Sequence, residues 1–182
     1  MTDREGNLAL LADLLRQKNL LDSKISAITG RPASQGHTGE FIASVVFDVE
    51  LHQSATFAGS DGVFASGPLV GKSVNIKWYG RNEYVLDIAT KHVPDYFLVL
   101  CGPTGSVASR GGIRPWVIDS VHLFHAADLI AELAVRGVKI GIATSVVKEA
   151  WRRAEIFPAA STRYVLNDRQ RAMIEPFSSR GV

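Results

Sequence analysis

Asp61, Asn75 and Lys77 are the residues whose types and spacing are best suited to chemistry. Asp61 belongs to Gly59-Ser60-Asp61-Gly62, and Val74-Asn75-Ile76-Lys77-Trp78-Tyr79 follows beyond a turn. Side chains along a strand alternate between faces, so Asn75, Lys77 and Tyr79 share one side while Val74, Ile76 and Trp78 enter a core. With Asp61 on the neighbouring strand of a hairpin, its carboxylate approaches Asn75 and Lys77 across the pair. Glu40, at the start of a preceding helix, supplies a second carboxylate. Such a grouping suits attack on a phosphodiester. Carboxylates hold a hard divalent cation through oxygen, and the cation polarises the phosphate and acidifies a bound water. A nearby lysine orients that water or offsets charge developing on the phosphorus oxygens.

This arrangement resembles the PD-(D/E)XK nuclease superfamily, in which an acid-bearing helix precedes a strand with an aspartate and then a strand with acid-x-lysine. Glu40 matches the helix acid, Asp61 the aspartate, and Asn75-Ile76-Lys77 the final tripeptide, over roughly Gly39 to Cys101. The resemblance implies a restriction-endonuclease-like fold and a Mg²⁺- or Mn²⁺-dependent endonuclease acting on DNA. Asp61 and Glu40 would be the metal ligands, with Asn75 and Lys77 assisting as catalytic residues. Asn75 departs from the pattern, since its carbonyl can coordinate a cation but brings no charge, which lowers metal affinity. Either Glu40 compensates, or the chain is a non-catalytic nucleic-acid-binding or structural protein with a decayed metal site. The stretches GRPASQGHTGEF, SGPLVGKSVNIKWYG, PDYFLVLCGP and KIGIATSV are also similar to a group of bacterial-type proteins that lend no known activity.

Each of these residues also has a plainer role to weigh. Asp61-Gly62 is a common turn pair, Glu40 complements the dipole of its own helix, and Lys77 suits an exposed strand position. Arg110, Arg114, Lys148 and Arg152 form a phosphate-contacting surface where loop and helix converge. Arg152 and Arg153 beside Glu149 and Glu155 otherwise make a solvated helix face. Gly71-Lys72-Ser73 ends like a phosphate-binding loop, but Ser66 stands where the earlier glycine belongs and a strand follows instead of a helix. His122 and His125 fall on opposite faces of a strand, so they are expected to be satisfied or exposed histidines, not a ligand pair. His37 lies near Glu40 in sequence.

The elements that must position these groups follow from periodicity. Residues from about Asn7 to Ile28 read as a helix with an apolar stripe, ended by Gly30 and Pro32. A second helix is predicted from Gly39 to about His52, with Phe41, Ile42, Val45, Val46 and Val49 on one face. Strands are predicted over Ala55–Ala65, Ser73–Tyr79, Tyr96–Cys101 and Trp116–Phe124. Helices are predicted over Ala126–Arg136, after a Thr144 or Ser145 cap, and over Asn167–Phe177. The expected architecture is α/β: a mixed central sheet flanked by helices over residues 30–182, with residues 1–29 as a helical extension whose stripe is expected to pack on that domain's own core, or else to serve a partner helix in a homodimer.

Composition sets the outer limits. The chain has 182 residues, 46% hydrophobic and 21% charged, which argues against wholesale disorder. A single cysteine, Cys101, excludes an internal disulfide and a cysteine-based zinc cluster. A net charge of +2 permits a local phosphate-binding patch without arguing for one. No stretch approaches the ~20 apolar residues of a membrane span. The amino terminus lacks a signal peptide's basic start, so a cytoplasmic location is expected.

Overall fold

The computed structural model describes residues 4–53, 59–105, 114–159 and 164–181. Its first element, α1 (Arg4–Thr29), is the expected amino-terminal helix, and Gly30 leaves it at a φ of 68°. The next, α2 (Gln35–Phe47), begins where Ser34 Oγ accepts the His37 amide at 3.2 Å. It ends at Asp48, whose φ of 53° is left-handed. The predicted Gly39–His52 helix is therefore shifted toward the amino terminus, because Ser34 caps it early and Asp tolerates the left-handed turn. Glu40 lies inside α2 and not in its first turn, so the helix-dipole role does not apply. Val49 belongs to a strand, β1 (Val49–Leu51).

Two further strands complete an antiparallel meander: β2 (Gly62–Phe64) on β1, and β3 (Ser73–Tyr79) on β2. The predicted Ala55–Ala65 strand is thus described as strand only from Gly62 to Phe64, and residues 54–58 lie outside the described residues. β4 (Val85–Leu86) follows, then β5 (Tyr96–Cys101), which runs parallel to β3. β6 (Ser120–His125) pairs antiparallel with β5 and is followed by α3 (Ala126–Val135). β6 begins four residues after the predicted Trp116 start: the Asp119 amide still bonds to the Cys101 carbonyl of β5, but the Ile118 amide bonds to the Phe177 carbonyl. β7 (Thr144–Ser145) pairs with β4. α4 (Lys148–Ala154), β8 (Glu155–Phe157) and α5 (Asp168–Ile174) complete the chain's main elements. Thr144 does not cap α4; its hydroxyl donates to the Gly141 carbonyl at 2.7 Å.

The main sheet has the order β1-β2-β3-β5-β6-β8 and is mixed, with helices on both faces. One face of β3, formed by Val74, Ile76 and Trp78, packs with α2 through Ile42, Ala43, Val46 and Phe47. On the other face, Phe97, Val99 and Cys101 of β5 pack with Leu129 and Leu133 of α3 and Trp151 of α4. Residues Leu98 to Cys101 are 0% exposed, as expected for a central strand covered on both sides. Full burial of each such leucine contributes about 1.5–3 kcal/mol. Gly39 sets the distance between α2 and β3, since a Cβ there would lie 3.1 Å from Trp78 Cβ. No described helix is long and apolar enough to cross a membrane.

Candidate functional site

The centre of the site is a fork in the sheet. β2 and β3 pair through Gly62–Val74, and the Asp61 amide donates to the Val74 carbonyl at 2.8 Å. Beyond that point β2 no longer supplies a partner for β3. The Ile76 amide donates instead to Asp61 Oδ2 at 2.6 Å. A carboxylate thus takes the place of a strand partner, and its other oxygen has no hydrogen bond among the described residues. On the β1 side the His52 amide donates to the Asp61 carbonyl at 2.9 Å.

Burial is unfavourable for the carboxylates of both Asp61 and Glu40. Burial pushes the Asp61 carboxyl above its ordinary range, against the stabilising pull of the Ile76 amide and the charges of Lys77, His52 and Arg31. Glu40 is raised too, first by burial and then by the charge of Asp61. Arg31 forms an ion pair with Glu40, and His37 also lowers the cost of its charge. Desolvated carboxylates that feel one another's charge favour protons or bound cations. Asp61 raises Glu40 through its charge, and Lys77 lowers Asp61.

The four expected residues do not share one face. Glu40 rides on α2, which covers the Val74, Ile76 and Trp78 side of β3. Strand alternation turns Asn75 and Lys77 to the opposite side, as the alternating burial of β3 records. Asp61, lying at the fork between the strands, is where the two halves meet. Asn75 Oδ1 is buried and has no hydrogen-bond partner among the described residues, an acceptor left for a cation or a donor. Tyr79, also on the Lys77 side, is committed to structure: its hydroxyl accepts the Asp87 amide at 3.0 Å.

No group of three or more His, Cys, Asp or Glu side chains suited to a metal occurs among the described residues. By chemistry the carboxylates of Asp61 and Glu40 fit Mg²⁺ or Mn²⁺, which need only one or two carboxylates and retain waters. The Asn75 amide oxygen lies on the side of β3 away from α2 and does not join Glu40 in one ligand set. These donors do not fit a structural zinc site.

The basic residues lie toward the other end of β3. Arg114 pairs with Glu83 at 2.9 Å and packs against Gly80. Lys148 sits 5.2 Å over the Tyr84 ring, and Arg152 pairs with Glu149 at 2.9 Å. Lys148 and Arg152 line a cleft of about 390 Å³ with Asn82, Thr104 and Glu155. A second cleft, about 330 Å³, lies between Tyr96, Leu123 and Tyr164. Neither is lined by Asp61 or Glu40. From Ile76 to Gly80 the strand rise is about 13 Å, so the basic cleft is separate from the carboxylates. Arg110 lies outside the described residues.

His122 is a satisfied core histidine. Its Nδ1 donates to the Trp151 carbonyl at 3.0 Å, so the neutral ring accepts at Nε2 from Ser120 Oγ, also at 3.0 Å. Burial pushes its pKa down to about 4. Gly71-Lys72-Ser73 leads into β3, and Asp95 accepts from the Ser73 amide and hydroxyl at 2.9 and 2.8 Å. Arg31 is the member that sequence reasoning missed. It lies in the connector between α1 and α2, where no periodicity relates it to Glu40. No protein-family model matches this chain, and no curated protein matches it.

Proposed function

We propose that the chain is a metal-dependent nuclease of the PD-(D/E)XK type, acting on phosphodiester bonds in DNA. The observation that carries this reading is the carboxylate of Asp61 at the fork of β2 and β3, within electrostatic reach of Glu40 and Lys77. The order of elements adds support: a helix bearing an acid, a meander bearing Asp61 and Lys77, then a strand parallel to β3. Asp61 and Glu40 would hold Mg²⁺ or Mn²⁺, and Asn75, on the side of β3 away from Glu40, would assist only through contact with Asp61 or the substrate. The cation would polarise the phosphate and lower the pKa of a bound water. Lys77 orients that water or steadies the charge on the phosphate oxygens. Arg31 partly offsets the burial and the Asp61 charge that raise Glu40, a task a bound cation would share. Arg114, Lys148 and Arg152 would contact phosphates further along the duplex, a term that weakens with added salt. DNA as substrate goes with a cytoplasmic location.

A second reading keeps the fold and drops the reaction: a nucleic-acid-binding module whose metal site has decayed. Two observations favour it, the uncharged Asn75 and the existing ion pair of Glu40 with Arg31. Calorimetric titration with Mg²⁺ and Mn²⁺, beside cleavage assays on single- and double-stranded DNA, separates the two. Metal-dependent cutting abolished by Asp61→Ala and by Lys77→Ala is the result expected of the nuclease. DNA binding without metal uptake or cutting would instead establish the module.

A further inference from the structure

We propose that α1 is a self-association helix whose apolar seam packs against α1 of a second copy of this chain; the inference does not depend on the nuclease reading. Packing of α1 on the rest of the protein is confined to its last two turns, where Asp22, Ile25, Ser26 and Thr29 are half-buried. Before Asp22 the described side chains of the helix are exposed, apart from a half-buried Asp13. Leu14, Leu21 and Ile28, spaced by seven, are 51%, 58% and 70% exposed. Leu11, Lys18 and Ile25 precede them by three each, which completes the a and d positions of a heptad with Leu14, Leu21 and Ile28 at d. Leu8 and Leu15 then occupy e, and Leu10 occupies g, so the apolar band is broad from Leu8 to Leu15 and continues beyond Lys18 through Leu21 and Ile28 at d.

A helix this length runs about 39 Å, more than three heptads. At roughly 50 Å² of apolar surface left on each half-exposed leucine or isoleucine, the seam presents on the order of 300–400 Å². A patch of about that size is as large as the largest on a typical monomer, and such patches are often functional. The seven-residue spacing matches another helix rather than a flat surface, because only helix-on-helix packing repeats with that period. Charge points to the chain's own copy. Arg4, Arg16, Lys18 and Lys24 nearly balance Glu5, Asp13 and Asp22, and the Asp13–Arg16 and Lys18–Asp22 pairs are already made along the helix. Such a face neither repels its own copy nor offers the lysine- and arginine-rich side of a membrane-surface helix. Lys18 at an a position costs stability and helps set the register of the pair.

Light scattering on the full chain tests this at concentrations up to about 100 μM, since association depends on concentration. Wild type is expected at twice the 19.7 kDa chain mass. The double variant Leu14→Glu/Leu21→Glu is expected at the single-chain mass with an unchanged far-ultraviolet spectrum for the remaining elements. Leu20→Glu, exposed but outside the seam, is expected to stay associated. A monomeric wild type, including one that instead binds anionic vesicles, would overturn the proposal. So would association that survives the double variant, or that is lost equally in Leu20→Glu.

Discussion

Replacing Asp61 by alanine and by asparagine separates what its carboxylate does for the fold from what it does for a cation. Asp61 Oδ2 accepts the Ile76 amide at 2.6 Å in a residue that is 6% exposed. Alanine leaves that donor unsatisfied, a cost of about 1–3 kcal/mol. Both variants also remove a buried charge whose burial is unfavourable, and this gain is common to the two. Asparagine keeps an acceptor oxygen at the same place. Asp61→Asn is therefore expected to equal or exceed wild type in stability, with Asp61→Ala about 1–2 kcal/mol below Asp61→Asn. In a chain of this size that difference corresponds to about 2–8 °C in Tm. Urea denaturation at pH 7 in the presence of a chelator measures it. Equal stability of the two variants would refute the claim that the carboxylate replaces a strand partner for Ile76.

Four further outcomes follow from the geometry. With 10 mM Mg²⁺ and a Kd of about 1 mM, the folded state gains about 1.4 kcal/mol, seen as a thermal shift that Asp61→Asn abolishes. Because the Asp61 and Glu40 carboxyls are raised, the folded protein holds their protons more tightly than the unfolded chain does. Their contribution to stability falls as pH rises from about 4 through the raised values, and Asp61→Asn flattens this slope. His122 acts with the opposite sign: its pKa of about 4 lies below the ordinary 6.5, so stability is lost as pH falls through that window. The loss reaches about 3 kcal/mol and is absent in a His122→Leu chain, compared as slopes of stability against pH. Gly39→Ala crowds Trp78 and is expected to cost about 1–3 kcal/mol, read by denaturant midpoint.

Much of the framework was legible because its signals are local. β3 and β5 stand where alternation and an apolar run predicted them, and α3 ends at Gly137 as its glycine implies. β1, β4, β7 and β8 were not legible. They are two or three residues long, too short for periodicity to register, and exist because tertiary partners pair them. The limits of α2 escaped for a related reason, since a cap at Ser34 and a left-handed Asp48 decide them. At the candidate site, alternation correctly separated Asn75 and Lys77 from Val74 and Ile76. What it could not supply was the fork that draws Asp61 to the Ile76 amide, or the connector that brings Arg31 to Glu40. Both depend on where β2 leaves β3 and how α2 lies across them.

The central claim is that Asp61 anchors a cation used to cut DNA. Its most direct test is cleavage of supercoiled plasmid by wild type and Asp61→Asn in Mg²⁺ and in Mn²⁺, because that variant keeps the hydrogen bond to Ile76. The account predicts metal-dependent cutting by wild type that is lost in a fully folded Asp61→Asn. Cutting that persists in the variant, or a folded wild type that neither takes up metal nor cuts, would contradict it.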